Sequence, residues 1–373
     1  MKHLFFLILS LVMIGTASAQ VTTSSINGKV TDSNGEVLVG ATVIAVHNPT
    51  GTQYGALTNV DGRYNIQGMR TGGPYTITVS YVGYQAVELT DITLSLGEPR
   101  TFDVSLKEST EIDAVVVVST ANDRFNANKT GAAVNFSRGV IENVPTIDRS
   151  IADVARLSPL ASSTKSSTGG ISFAGANNRY NSFQIDGTVS NDVFGLTSSG
   201  TNGGQTSTNP ISMETIEEIQ VVIAPYDVRQ SGFTGGGINA VTKSGTNSFR
   251  GSAYTYFRNN NLVGKGASGE KYAEQSTQTY GFTFGGPLVK DKLFFFVGGE
   301  YYKDKTPATV YDENNIDGFV TMDQLNQIRE QYKKLTGYDT AGFGQHTPEI
   351  WSANVMARLD WNINDNNKMM LRY

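Results

Sequence analysis

The apolar positions of this chain recur mostly at every second residue, the period of a half-buried strand. From Ile26 to Lys107 such runs are short and turn often: INGKVTDSNGEVLVGATVIAVHNPTG, then ALTNVDGRYNIQGMRTGGPYTITVSYVGYQAVEL, then TFDVSLKE. Asn34-Gly35 and Asp61-Gly62 stand between alternating runs, a strong hairpin signal, and the segment predicts a small sandwich of about seven strands. A run of four valines follows, Val115 to Val118, with Asp113 and Ala114 before it and Ser119 after it. The text from 122 to 136 is polar and has no clear period. Ser150 is placed to cap a short helix with Ile151, Val154 and Leu157 on one face. Two further strands are expected, Ile219 to Ile223 and one ending in Thr242-Lys243-Ser244, with a turn at Pro225 and the cluster Gly235, Gly236, Gly237 between them.

Beyond residue 248 the alternation becomes longer and cleaner. In SFRGSAYTYFR, Phe249, Gly251, Ala253, Thr255 and Phe257 share one face, and in TQTYGFTFG Tyr280, Phe282 and Phe284 oppose Thr279, Gly281 and Thr283. In WSANVMARLDW one face holds Trp351, Ala353, Val355, Ala357, Leu359 and Trp361, and the other Ser352, Asn354, Met356, Arg358 and Asp360. The tryptophans are ten positions apart; at about 3.3 Å per residue and a tilt near 40°, that is roughly 25 Å of height, the apolar band between two aromatic girdles of a membrane barrel. A soluble sandwich with one wet face would alternate as well, without tryptophans at both ends of the apolar face. The links also alternate: Lys290-Asp291-Lys292 is a tight turn, whereas NNNLVGKGASGEKYAEQS and the stretch from Thr306 to Ile350 are long. Inside the longer one, Thr321 and Gln324 form a capping box and Gly337 a stop, so a surface helix is expected there.

Forty glycines, 17 tyrosines and 18 phenylalanines fit many short strands, so the predicted class is all-β. Charge is balanced, 29 basic against 34 acidic residues, with no cationic run, so no nucleic-acid partner is expected. There is no cysteine, which excludes disulfides and thiolate sites. The start, MKHLFFLILSLVMIGTASAQ, has the basic, apolar and small-residue regions of a signal peptide over residues 1–19. No later segment is long and apolar enough for a transmembrane helix, so membrane residence would have to use strands.

Three stretches invite a chemical reading. His346 and Glu349 have the H-x-x-E spacing of zinc carboxypeptidases, but the other histidines are His3 and His47, far from it in sequence, and a loop histidine is the better reading. Gly237 to Ser244 has Thr242 where a phosphate loop needs glycine. Asp186, Asn191 and Asp192 lack the spacing of a calcium loop and read as turn residues. Neither a cofactor nor a metal is expected, and no enzyme. The glycines at 169, 170, 235, 236 and 237 read either as turns or as places where backbone packs closely.

Several of these stretches resemble known families. The text from 26 to 107 resembles the carboxypeptidase-regulatory-like domain, a prealbumin-like sandwich at the N-terminus of many Bacteroidetes outer-membrane receptors. METIEEIQVVIAPYDVRQSGFTGGGINAVTKSGTNSFRG is similar to the plug domain of TonB-dependent outer-membrane receptors, and GGISFAGANNRYNSFQIDG, with Asp186 and Gly187, resembles the Oar-like branch. Phe173-Ala174-Gly175 and Ile223-Ala224-Pro225 depart from the general plug pattern and fit that branch. The resemblance implies a signal peptide over 1–19, the sandwich over 20–108, a TonB box and linker over 109–125, a plug with a small mixed sheet and a short helix over 126–247, and the first five or so strands of an antiparallel outer-membrane barrel over 248–373. Family barrels have about 22 strands, so the expectation is an incomplete barrel.

The same resemblance implies active import of an unidentified ligand, powered by the TonB-ExbB-ExbD complex, in a protein surrounded by outer-membrane lipid. Alternatives are a SusC-like glycan or peptide importer with a surface lipoprotein, or a surface adhesin or assembly scaffold that does not transport. By resemblance Asp113, Ala114, Val115, Val116, Val117, Val118 and Ser119 form the TonB box. A stiff β-branched strand can add to a partner's sheet edge, and with a polar linker around it the segment is expected to stay unpaired until TonB arrives.

Overall fold

The computed structural model describes residues 21–109, 116–119, 132–146, 149–163, 170–192, 194–195, 197, 200–204, 208–225, 227, 230–266, 269, 271–272, 274–307, 321–340, 347–364 and 367–373. The expected signal peptide, Asp113, Ala114, Val115, Gly169 and His346 lie outside them. By contact the chain divides into two compact units: Met1–Gly251 with Thr283–Gly298 and Met356–Tyr373, and Ser252–Phe282 with Gly299–Val355. No described helix is long and apolar enough to cross a membrane, which leaves strands as the open question.

The first unit begins with β1 (Ser24–Asp32), β2 (Thr42–His47), β3 (Thr52–Leu57), β4 (Arg63–Met69), β5 (Gly72–Ser80), β6 (Val87–Leu94), β7 (Pro99–Thr101), β8 (Val104–Leu106) and β9 (Val116–Ser119). One sheet has β1 at its centre, antiparallel to β4 and parallel to β7 and β8, and the other runs β3-β2-β5-β6-β9. The alternating residues face inward: Val43, Ala45, Ile77 and Val79 are fully buried with Ile26, Val30, Ile92 and Leu106. Each of the Val, Ile and Leu side chains among them contributes about 1.5–3 kcal/mol by leaving water. Asn34-Gly35 makes the expected reversal, with a bridge between Thr31 and Val37. Asp61-Gly62 does not make a hairpin: it carries the chain from β3 in one sheet to β4 in the other. The same turn chemistry serves both, with Gly35 at φ +87° and Gly62 at φ +68°.

Next come β10 (Ala132–Ser137), α1 (Arg138–Asn143), α2 (Ile151–Ala155), β11 (Ala161–Ser163), β12 (Ile171–Phe173), β13 (Ser182–Ile185), β14 (Thr188–Val189), β15 (Ile216–Ile223) and β16 (Gly236–Thr242). The Ser150 cap is a full capping box with Asp153, and α2 buries Ile151 and Val154. Leu157, expected on that face, lies past the helix end and is 45% exposed. The sheet order is β10-β15-β16-β13-β14, mixed because β13 runs parallel to β16. β15 reads IEEIQVVI and β16 GGINAVT, and both are buried almost throughout, as strands covered on two faces must be.

The remaining strands are β17 (Arg250–Asn259), β18 (Ser276–Val289), β19 (Leu293–Lys305), β20 (Glu349–Asn364) and β21 (Asn367–Arg372), with α3 (Asn260–Val263) and α4 (Met322–Thr336) in the two long links. They form a five-stranded meander in chain order that does not close on itself. On β20 the outward row includes Trp351, Val355, Leu359 and Trp361, 64%, 72%, 39% and 44% exposed, while Met356, Arg358 and Asp360 are buried. An apolar face left bare beside a buried charged face inverts the rule for soluble sheets and matches a strand with lipid outside. α4 has the expected Thr321–Gln324 box and ends at Gly337 with φ +72°.

Candidate functional site

Two places bring together the residues singled out by sequence. The first is the edge of the sandwich. Val116 to Ser119 do not stand apart as the expected unpaired handle: they are the fifth strand of the second sheet, parallel to β6 with Val87 opposite Val116 and Thr90 opposite Ser119. The physical reason is local. A sandwich sheet ending in β6 leaves a row of backbone groups open, and the β-branched segment that follows β8 in the chain satisfies them.

The second place lies where the middle domain meets the meander within the first unit. The Asp186-Gly187 turn joins β13 to β14, with φ +46° and +80°, the two left-handed positions a tight hairpin of this kind requires. That turn aims the Asp186 carboxylate at the end of β16: Oδ1 accepts from the Thr242 backbone N–H at 2.8 Å and Oδ2 from the Thr242 hydroxyl at 2.7 Å. Arg372 Nη1 donates to the same Oδ2 at 3.1 Å. From β20, Arg358 Nη1 donates to the Thr242 carbonyl at 2.8 Å and hydroxyl at 2.9 Å, and sits 3.6 Å from Asp186 Oδ1. Its Nε and Nη2 make a two-pronged pair with Asp360, both at 2.9 Å. From the sandwich, Arg70 donates to Asp360 at 3.2 Å and to the Ser244 hydroxyl at 2.6 Å.

Three arginines and two carboxylates thus tie three parts of the unit together. The Arg358, Asp360 and Asp186 side chains are 8%, 3% and 3% exposed, so these pairs are far less screened than surface ones. Sequence reasoning singled out Asp186 and Gly187 and overlooked Arg358, Asp360, Arg70 and Arg372 as site residues. A signal existed for two of them: Arg358 and Asp360 are charges on the inward row of a strand whose other row is apolar. Nothing marks Arg70 or Arg372.

Lys243, next to Thr242, is almost buried, with its Nζ 3.5 Å from Glu142. Burial pushes its pKa down, and Arg138 adds to that. The glycine cluster belongs to close backbone packing at 236 and 237. A Cβ on Gly236 would lie 2.4 Å from the Phe173 ring, and one on Gly237 2.9 Å from Phe233. A Cβ on Gly235 would meet Asn181 Oδ1, which accepts from the Gly236 N–H at 2.9 Å. Gly170 is buried, and Pro225 follows the end of β15 half-buried. Wall residues Phe296 and Met356 join the apolar core of the middle domain with Ile219, Val221 and Phe173.

The oxygens considered for calcium are used in turns. Asn191 accepts from the Phe183 N–H, and Asp192 from those of Phe194 and Thr197. No cluster of three metal-binding side chains occurs among the described residues. In the second unit, Tyr254 donates to Glu300 at 2.8 Å and Thr277 to Asp304 at 2.7 Å. Lys303 and Lys305 pair with Glu349 at 2.5 and 2.7 Å, two positions beyond Trp351 on the same row. Charges start on the outward row where the apolar band stops.

Comparison with known proteins gives these features a context. Residues 25–107 match the carboxypeptidase regulatory-like domain and residues 241–316 the outer membrane beta barrel domain. The TonB-dependent transporter Oar of Myxococcus xanthus is 27% identical over 305 residues, 76% of this chain and 27% of that protein. A probable TonB-dependent siderophore receptor, PirA of Acinetobacter baumannii, is 36% identical over 107 residues, 28% of this chain and 13% of the receptor. Among solved structures, the siderophore receptor PirA from the same species matches with a TM-score of 0.42 and 22% identity, over 65% of this chain and 31% of that one. The chain therefore spans less than a third of the length of these relatives, which are receptors and transporters. A barrel domain of this type and TonB-dependent relatives locate the protein in the outer membrane of a Gram-negative cell. Over 76% of its length the chain is similar to the TonB-dependent transporter Oar, with a match to the carboxypeptidase regulatory-like domain preceding its barrel strands.

Proposed function

We propose that the protein belongs to a TonB-dependent importer of the Oar-like kind, in which residues 126–247 are the plug, residues from 248 onward the wall, and Asp113–Ser119 the segment gripped by TonB. The observation that supports this best is the Asp186–Thr242–Arg358–Asp360 cluster. A plug must stay seated at rest and leave its seat under load. Ion pairs with directed hydrogen bonds serve that purpose, because water can take over every one of their bonds once they part, whereas an interdigitated apolar contact has no such substitute. Phe296 and Met356 supply a small apolar contact beside them. Energy from the TonB-ExbB-ExbD complex would be delivered through β9, and cargo would enter from the side of the long links that hold α3 and α4.

The test needs no knowledge of the cargo. The periplasmic domain of TonB should bind the membrane-inserted protein, and a Val116→Pro, Val117→Pro double variant should lose that binding at least tenfold, since proline removes the backbone donors a partner strand needs. Unchanged binding in the double variant would remove Val116 and Val117 from the partner contact.

A further inference from the structure

The sandwich touches the middle domain at one peptide unit with unusual thoroughness. β6 ends at Leu94, and the turn Ser95-Leu96-Gly97-Glu98 brings a leucine to the face of β15 and β10 away from the core. Leu96 is fully buried against Val21 and Val241. Its N–H donates to both oxygens of Glu218, at 3.0 and 3.1 Å, and its carbonyl accepts from Asn135 at 3.1 Å and from Gln220. Gly97 sits at φ +67°, where a side chain would be strained, and a Cβ there would stand a tight 3.1 Å from both Gln220 and Val21. On strands that are otherwise mostly apolar, the polar side chains Asn135, Glu218 and Gln220 are spent on one backbone unit of another domain. Asn135 and Gln220 sit opposite each other in the ladder, and Glu218 is two residues along on the same face.

We propose that the Ser95–Glu98 turn is a proton-controlled latch, holding the sandwich on the middle domain while the Glu218 carboxyl is neutral and releasing it when that carboxyl ionises. The reason is the surroundings of the carboxyl. Glu218 is 5% exposed, and the charged groups acting on it are both acidic: Glu98 from the latch turn and Glu217 from its own strand. A single backbone N–H does not offset the burial of a negative charge beside two further acidic side chains. Burial pushes its pKa up to about 8, with Glu98 and Glu217 acting in the same direction. The sign follows. The docked state holds the proton more tightly than the undocked state, where the group returns to about 4.5, so docking weakens as pH rises between those values and levels off above about 8. Gln220 and Asn135 do not titrate and set the pH-independent part of the grip. The latch goes beyond the transport reading and stands on the sandwich contact alone.

Hydrogen exchange at the Leu96 amide of the membrane-inserted protein, corrected for intrinsic rate, tests it. Wild type should lose protection by on the order of tens-fold to a hundredfold between about pH 6 and pH 9. Glu218→Gln keeps the acceptor and should stay latched at both values, while Gln220→Ala should weaken protection equally at both and keep the wild-type slope. A flat wild-type profile, a Glu218→Gln protein that loses protection in parallel with wild type, or one unlatched already at the lower pH would overturn the proposal.

Discussion

Replacing Arg358 by methionine probes the buried cluster most directly. Methionine is unbranched and apolar and fills much of the space, so what is lost is the guanidinium. Four hydrogen bonds go with it, two to Asp360 and two to Thr242, together with the 3.6 Å ion pair to Asp186. Removing one partner of a buried pair costs about 3–5 kcal/mol, chiefly because the remaining charge stays buried. Here each carboxylate keeps another cation, Asp360 the Arg70 guanidinium at 3.2 Å and Asp186 that of Arg372 at 3.1 Å. The lower end, about 3 kcal/mol, is therefore expected, or on the order of a hundredfold in local opening. The amide of Thr242 is the right reporter, since it donates directly to Asp186. It should exchange about a hundredfold faster in Arg358→Met, while the Ile77 amide in the sandwich core keeps its wild-type rate and shows that the fold is intact. Arg358→Lys should recover only part of the loss, because an ammonium cannot make the two-pronged contact with Asp360. A Thr242 amide whose exchange stays within about threefold of wild type in Arg358→Met would refute the view that the cluster seats the middle domain.

Other expectations are quickly checked. Gly236→Ala forces a Cβ to 2.4 Å from Phe173 and should cost about 1–3 kcal/mol in denaturant unfolding, whereas Gly139→Ala, in α1 with nothing within 4 Å, should stabilise by roughly 0.5–1 kcal/mol. The chain has no cysteine, so Val87→Cys with Val116→Cys gives a clean pair; oxidation should cross-link it, and failure to do so would deny that β9 pairs with β6 in this register. His47 is buried, hydrogen-bonded to Thr50 at 2.7 Å, and burial, with Arg70 and Lys368 nearby, lowers its pKa to about 3. The fold accepts only the neutral ring, so stability is full above about pH 6.5 and falls as pH drops towards about 3; thermal unfolding against pH should show this slope and His47→Gln should flatten it.

Much of the fold was legible because strand periodicity is local. Alternation on β20 announced both the exposed apolar face from Trp351 to Trp361 and the buried face from Met356 to Asp360, and Ser150 and Thr321 announced their helices through capping chemistry three residues long. Turn residues were less decisive. Asp61-Gly62 marks a reversal, yet whether a reversal joins neighbours in one sheet or crosses between two depends on strands elsewhere, here β1 and β2. The valine segment misled for a similar reason. Its surroundings in sequence are polar, but its surroundings in space are the open edge of β6.

The sequence by itself determined the class of each stretch: which residues are extended, which face of a strand is apolar, where a turn needs glycine, and that Asp186 sits in such a turn. These properties depend on the backbone and on side chains two to four residues apart. Only the tertiary structure decided who meets whom. Asp360 and Arg70 are 290 residues apart, Arg358 and Thr242 116, Leu96 and Glu218 122. Such pairs leave no periodic trace, because a buried charge or a polar side chain on an apolar strand is satisfied by whatever the fold brings to it, and that partner is set by topology, not by spacing along the chain.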